Sequence, residues 1–92
     1  MKRRGIFART LPNITIRVSG KLFRGHLDYL DQLVQFAAEK ELWPLLSLSQ
    51  LDELDGDALA YLIDGEDRRF GLVACPDFVR QQIERERHRE AA

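Results

Sequence analysis

Residues 13–19 alternate strictly between polar and apolar side chains, and three β-branched residues fall on one face. A period of two with β-branched residues predicts a half-buried strand, which Gly20 is expected to end. Upstream, Ile6-Phe7-Ala8 is a second short apolar segment, separated from the first by the turn-like Leu11-Pro12-Asn13. Two strands so closely joined predict an antiparallel pair at the start of a sheet.

The hydrophobic period changes to that of a helix between Gly25 and Glu41. Six apolar residues share one side of that helix: Leu27, Leu30, Leu33, Val34, Ala37 and Ala38. A shorter helix is predicted over residues 57–64, where Gly65 is a natural stop. A third helix is expected to open at Pro76. Its apolar stripe consists of Phe78, Val79 and Ile83.

Two nearly continuous apolar runs, LWPLLSL at 42–48 and FGLVA at 70–74, predict strands buried on both faces, as in parallel sheets covered by helices. The order β-β-α-β-α-β-α predicts a single α/β domain with a mixed sheet. In that sheet the N-terminal antiparallel pair is followed by parallel strands, and about three helices cover it. The domain is expected to span residues 1–92, with a core at about 5–90 and flexible ends at 1–4 and 88–92.

The composition, 45% hydrophobic and 32% charged, is that of a globular chain rather than a disordered one. No apolar run approaches the roughly 20 residues that span a bilayer, so membrane insertion is not expected. The basic start MKRRG is not followed by an apolar stretch of the length that a signal peptide needs, so a signal peptide is not expected. The single cysteine, Cys75, excludes an internal disulfide and a multi-thiolate metal site. We expect a cytoplasmic protein without metal or cofactor.

The net charge is −1, but the charges are unevenly distributed. Residues 1–10 carry four bases and no acid, whereas residues 51–67 carry seven acids and no base. The acidic run is either a solvated face or a contact surface for a basic partner. Nucleic-acid binding is not expected, because the basic patch is small and the C-terminal arginines alternate with glutamates.

Asp55-Gly56-Asp57 stands where the second helix begins. Asp55 is well placed as the N-cap, with its carboxylate accepting from the amide of Asp57 or Ala58. Asp57 lies in the first turn, where the helix dipole favours negative charge. Gly56 permits a sharp turn or the close approach of a partner. The segment is therefore either a well-capped helix start or an exposed docking point.

Catalytic patterns are sparse. No Gly-rich phosphate loop, G-x-S-x-G or zinc-helix spacing occurs, and His26 and His88 are interpreted as surface residues. Cys75 is the one reactive candidate, because a helix N-terminus can lower the pKa of a thiol. Its other reading is a small buried hydrophobic side chain. A small redox protein or enzyme centred on Cys75 is kept as an alternative of another class.

The segment LLSLSQLDELDGDALAYL resembles the central signature of the STAS family, the anti-sigma-factor antagonist and sulfate-transporter domain. That signature is an apolar strand ending in Asp-Leu-Ser, about four residues, then Ile-Asp-Ser-Ser-Gly-Leu and a helix. Ser49 matches the strand-end serine, Leu54-Asp55 match the Ile-Asp, and Leu62 matches an inward leucine. Ser19-Gly20 and CPDFVRQQIE resemble further family features, so the resemblance covers about residues 5–90.

The chain departs from this pattern at four positions. Gly56 and Asp57 replace the two serines, Ala58 replaces the glycine, and Ser47 stands where an aspartate is usual. The phosphorylated serine of the family falls at Asp57, so the resemblance implies a member that serine phosphorylation does not switch at this position.

The resemblance implies a non-enzymatic protein-interaction module of bacterial regulation that docks a partner through its acidic helix tip, residues 52–60. The expected contact residues are Asp52, Glu53, Asp55, Gly56, Asp57 and Ala58. The expected partner is a protein, either an anti-sigma-factor-like kinase or a transporter ATPase. The second partner would make the chain the STAS subunit of a lipid-transport ATPase complex. Association of two copies stays open.

Overall fold

The computed structural model describes residues 11–91, which form three strands and three helices. The strands are β1 (Asn13–Leu22), β2 (Trp43–Leu54) and β3 (Gly71–Val73). The helices are α1 (Leu27–Glu39), α2 (Gly56–Gly65) and α3 (Asp77–Ala91), and a single 3-10 turn at Arg24–His26 precedes α1. The order of elements in this part of the chain is therefore β-α-β-α-β-α.

The predicted antiparallel pair at the start of the sheet is wrong for the described residues, because their sheet is entirely parallel. Its order is β1-β2-β3, with Ile16 opposite Leu46 and Leu46 opposite Leu72. The segment Ile6-Phe7-Ala8, which was predicted to pair with β1, lies outside the described residues. Nearness in sequence suggested that pairing, whereas β1 pairs across the sheet with a strand that follows a whole helix.

The strand β1 runs through the glycine that was expected to end it. Gly20 has a φ of +73°, lies opposite Leu51, and is followed by two further paired residues. A backbone with positive φ suits glycine because it has no Cβ. The residue is therefore part of an irregularity within the strand rather than a stop.

The strand β2 also extends further than predicted, to Leu54 rather than Leu48. The strand β2 has 12 residues, whereas β1 has 10. The difference lies in two bulges of β2, each with one extra residue: the first is opposite the segment between Arg17 and Ser19 of β1, and the second is opposite the step from Gly20 to Lys21. A bulge of this kind shifts which face the following side chains occupy. The core leucines of β2 follow these shifts, spaced by two, three and three residues: Leu46, Leu48, Leu51 and Leu54. Simple alternation does not detect such a strand.

Helices cover one face of the sheet. Both crossovers step to the next strand in the same direction, so right-handed connections place α1 and α2 on the same side. The core lies between this face and the helices, and its fully buried members include Leu46, Leu62, Phe70 and Ile83.

The other face of the sheet is only partly buried, so the prediction of strands buried on both faces is wrong. Along the first half of β2, buried residues alternate with half-buried ones, and no residue of β3 is fully buried. The apolar runs look continuous because Trp43, Leu45 and Val73 are apolar residues on the uncovered face. They are half-buried there, and none of the helices in the described residues covers them.

The three predicted helices are confirmed, each with an apolar side in the core. The buried residues are Leu30, Val34 and Ala37 on α1, Ala58, Leu62 and Gly65 on α2, and Val79 and Ile83 on α3. Gly65, the predicted stop of α2, is also required by packing. A Cβ added there would lie 2.3 Å from Cε2 of Phe70.

The helix α3 is fixed to the rest of the domain by Glu66. This side chain, only 11% exposed, accepts hydrogen bonds from Nη2 of Arg80 at 3.4 Å and Nη2 of Arg87 at 2.8 Å. The two arginines are seven residues apart and so lie on the same side of α3. One carboxylate thus holds two turns of the last helix against the end of α2.

We expect Leu46→Ala to lower the free energy of unfolding by about 2–5 kcal/mol, the usual cost of deleting a buried leucine side chain. Leu45→Ala is the matched control, because Leu45 is the adjacent leucine, lies on the other face of the sheet and is only half-buried. The control is expected to cost about 1 kcal/mol. Urea unfolding measures both, and equal losses would contradict the one-sided core.

Candidate functional site

Asp55 fixes the point where β2 ends and α2 begins. Its Oδ1 accepts from the backbone N–H of Ala58 at 2.9 Å, which is the predicted N-cap bond. Its Oδ2 accepts from the backbone N–H of Arg24, also at 2.9 Å, and its own N–H donates to the carbonyl of Leu22 at 3.3 Å. The same residue therefore caps α2 and ties the carboxyl ends of β1 and β2 together.

Both backbone hydrogen bonds favour the ionised carboxylate. The bond from Arg24, followed by that from Ala58, lowers the pKa of Asp55 below its ordinary value. Because each oxygen of Asp55 already has a partner, this residue positions the tip rather than offering it an unused carboxylate.

Gly56 and Asp57 are exposed at the first turn of α2, as expected of a docking point. Nε of Arg24 lies 3.7 Å from Oδ2 of Asp57, but these side chains are 80% and 62% exposed. Such a pair contributes little to stability, so Asp57 can exchange it for another cation. Ala58, also expected at the contact, is fully buried. The helical turn directs its side chain into the core, where it cannot contact a partner.

Asp52 and Glu53 are exposed near the end of β2. Both were expected at the acidic helix tip, and the bulged strand instead holds them in extended backbone. Nζ of Lys21, on β1, lies 4.0 Å from Oε1 of Glu53, with both side chains more than half exposed. The acidic tip therefore combines two strand residues with one helix residue.

An open groove runs along α2 from this tip. Its floor is apolar and includes half-buried Leu27, Leu59 and Ile63, with exposed Ala60 between them and the rim. Its rim carries three acids, Asp57, Asp64 and Glu86, and one base, Arg24. The groove could not be predicted from the sequence, because the residues that line it come from four separate segments: the turn after β1, and the helices α1, α2 and α3. The only local signal was the exposed stripe at positions 57, 60 and 64.

A polar cluster beside the groove joins α1 to α2. Oδ1 of Asp31 accepts from the Tyr61 hydroxyl at 3.0 Å and from Nη1 of Arg69 at 2.6 Å, and Oδ2 accepts from Gln35 at 2.8 Å. Tyr61 also stacks on Phe70, with ring centroids 5.6 Å apart. These contacts fix the tyrosine ring that lines one side of the groove.

The hydrogen bonds of this cluster favour an ionised Asp31, a charged Arg69 and a neutral Tyr61. Partial burial works to raise the pKa of Asp31, but the hydrogen bonds from Arg69, Tyr61 and Gln35 outweigh it and lower the pKa. Burial, with the bond to Asp31, raises the pKa of the Tyr61 phenol, and the bond to Asp31 raises the pKa of Arg69. The tyrosine stays protonated and donates, so the cluster stabilises the packing of α1 on α2.

Cys75 is half-buried between β3 and α3. Burial raises the pKa of its thiol, and the negative charge of Glu66 adds to that rise while Arg80 opposes it. A reactive cysteine needs the opposite shift. The expected lowering by the start of α3 is therefore not what this environment produces.

In the described part of the chain, no three His, Cys, Asp or Glu side chains are grouped as metal ligands would be. None of its helices has the length and apolar character needed to cross a membrane.

Comparison with known proteins found no matching family model, no similar curated protein and no similar solved structure.

We expect Asp55→Asn to destabilise the protein at neutral pH, because the asparagine side chain has one acceptor oxygen, and its NH2 group would face the other N–H donor. The pKa of Asp55 is lower in the folded than in the unfolded chain. Its stabilisation is therefore present above the ordinary carboxyl pKa and is lost as the pH falls through the folded value. Urea midpoints of wild type and variant are expected to converge below about pH 4.

The matched control for this experiment is Asp52→Asn, an exposed acid at the end of β2. It is expected to leave the urea midpoint unchanged at pH 7. A gap between wild type and Asp55→Asn that stays constant down to pH 2 would contradict a role for the charge.

For Cys75, the raised pKa predicts slow alkylation. At pH 8, iodoacetamide is expected to modify the folded protein more slowly than the same protein in urea, because less thiolate is present and access is limited. Mass spectrometry follows the reaction. Folded protein that reacts as fast as the unfolded chain would revive the alternative of a reactive cysteine.

Proposed function

We propose that this chain is a non-enzymatic, STAS-like protein-interaction domain that docks a regulatory partner through the acidic tip and the groove along α2. The observation that carries this proposal is the groove itself, with an apolar floor, an acidic rim and a rigidly anchored tip. The parallel β-α-β arrangement around Asp55 agrees with the resemblance in residues 45–62, where strand, Leu54-Asp55 and helix follow one another.

The rim favours a basic partner. Asp57 and Asp64 are exposed one above the other along α2, seven residues apart, and Glu86 approaches from α3. Arg24 is the one base among the residues that line the groove, and its pair with Asp57 is highly exposed and therefore weak. Complementary charge raises the rate of association and excludes partners of the wrong sign.

The floor supplies the apolar contact that charge alone lacks. Leu27, Leu59 and Ile63 are half-buried at the base of the groove, so a partner side chain placed there would complete their burial. An apolar centre with a polar rim is the usual arrangement of a protein interface. Gly56 and Ala60 are small and exposed on the outer side of α2, which lets the backbone of a partner approach closely.

The serine phosphoswitch of the resembled family has no acceptor at Asp57. An aspartate there supplies permanent negative charge at a helix start, where the dipole stabilises it. A phosphate in that position would carry more charge, about −1.5 to −2. Asp57 therefore either imitates the phosphorylated state or serves a partner with a basic surface, and the acids at 52, 53, 57, 64 and 86 favour the second.

The test compares Asp57→Ser and Asp57→Lys with wild type for binding of the protein that wild type retrieves in a pull-down. A basic partner predicts that Lys weakens binding about tenfold or more, a loss of roughly 1.4 kcal/mol, and that Ser weakens it less. Added salt is expected to weaken wild-type binding. Calorimetry measures each affinity.

Asp77→Lys serves as the control, because it reverses an exposed acid in the first turn of a different helix, α3. Its binding is expected to equal that of wild type. If Asp57→Ser binds several-fold more tightly than wild type, Asp57 imitates a phosphoserine. If no change at position 57 alters affinity, the tip is a helix cap and does not dock a partner.

A further inference from the structure

The described residues that line the groove along α2 lie in helices and in one turn, with no strand among them. Extended peptides that bind proteins commonly pair their backbone groups with an exposed strand edge, which this lining does not offer. An extended segment laid on the apolar floor would therefore leave some of its own N–H and C=O groups buried without partners, at a cost in free energy. A helical segment satisfies those groups internally, so the groove favours a helix as its occupant.

The exposed side of α2 separates acidic from apolar side chains. Ala60 lies at the centre of this side, because the fully buried Ala58 and Leu62 point the other way. At 100° per residue, Asp57 and Asp64 lie on one flank of Ala60, whereas Ile63 and Leu59 lie on the other. A helix placed along Ala60 would therefore meet carboxylates on one side and apolar side chains on the other.

The domain itself gives no steric reason for a glycine at position 56. A Cβ at Gly65 would overlap the ring of Phe70, and one at Gly71 would lie 2.9 Å from a leucine of β2. A Cβ at Gly56 would meet nothing within 4 Å, and the φ of this residue is not positive. Alanine is favoured over glycine within a helix, so the packing of the domain does not account for this residue.

Gly25 is the one other described glycine that lacks both constraints. It follows Arg24, whose N–H is bonded to Asp55, the residue before Gly56. The two unconstrained glycines thus lie at the same end of the groove. Their missing side chains leave room for the backbone of a bound segment to come close.

The charges of the groove decide the sign of that segment. Three acids and one base give the lining residues a net charge of −2, or −1 if Arg89 is counted, because Arg89 lies 3.5 Å from Glu86. The side chains of Arg24 and Arg89 are 80% and 73% exposed, so their pairs with Asp57 and Glu86 are weak. A basic segment can replace both arginines, whereas an acidic one would be repelled.

We infer that the groove along α2 takes one amphipathic α-helix of the partner protein, with Lys or Arg on one side and bulky apolar residues on the other. Gly56 and Ala60, one turn apart, face the backbone of this helix. Small side chains at such a contact permit the short end of the usual interaxial distance of about 8–10 Å. This inference rests on the proposed function, because it identifies the kind of partner segment that the same groove binds.

The probe is a synthetic 16-residue peptide of Leu, Ala, Lys and Gln, with its leucines on one side of the helix and its lysines beside them. One comparison peptide has the same composition in an order that gives no apolar side. Another carries proline at two central alanine positions, which keeps the charge and the leucines but prevents a helix. NMR amide shifts of the labelled protein locate the binding, and circular dichroism measures the helix gained.

The helical peptide is expected to shift residues 24–27 and 56–64, and to bind about fivefold or more tightly than either comparison peptide. Its affinity is expected to fall as salt is added.

Ala60→Gln tests the centre of the groove and is expected to weaken the helical peptide about fivefold or more. Ala38→Gln is the matched control, the same change at an exposed alanine of α1, and is expected to bind as wild type does. Gly56→Ala is expected to keep or raise the urea midpoint, because its Cβ meets open space, and yet to weaken the peptide about threefold or more. A loss of binding without a loss of stability separates docking from folding.

Three results would overturn the helix and leave the basic docking surface in place. They are equal binding of the proline peptide at the same residues, unchanged affinity in both Ala60→Gln and Gly56→Ala, and a retrieved partner that Asp57→Lys weakens but Ala60→Gln does not. Absence of shifts at residues 56–64 with the helical peptide would overturn the inference as well. The proposed function is then decided separately by the Asp57 variants and the retrieved partner.

Discussion

The arrangement of the domain depends on one carboxylate. Asp55 accepts from the backbone of the turn after β1 and from the first turn of α2, and so joins two strand ends to a helix start. Parallel strands have no hairpin to align them, so a bond between their carboxyl ends limits how far they can slide. The same bond therefore fixes the geometry of the groove along α2, because Arg24 and Leu27 follow the end of β1, while Gly56 and Asp57 follow the end of β2.

Local patterns in the sequence predicted the helices well, because each helix places its apolar residues on one side at the expected spacing. They predicted the strands less well. Pairing is a contact between distant segments, and nothing within residues 6–19 could indicate that β1 pairs with β2. The two bulges could not be predicted either, because they space the leucines of β2 three residues apart, and that spacing resembles the start of a helix.

The candidate site was predicted in part for a similar reason. The cap at Asp55 and the exposure of Asp57 follow from neighbouring residues, and both were expected. Burial of Ala58 and the position of Glu86 depend on how helices pack on the sheet, which a linear pattern of charges does not contain. The exposure of Tyr29 and Phe36 on α1 could not be predicted from the sequence, because each is close in sequence to core residues of the same helix. Leu30 and Tyr29 are adjacent in sequence but differ in exposure from 4% to 68%.

The bulged strand β2 has a consequence for the evolution of this domain. Between its leucines the strand carries Ser49, Gln50, Asp52 and Glu53, all exposed, while the leucines themselves are held in the core. Substitutions at the four exposed positions can change the charge beside the tip without disturbing the packing beneath it. Divergence of this strand is therefore expected at these exposed positions, while the leucines are retained.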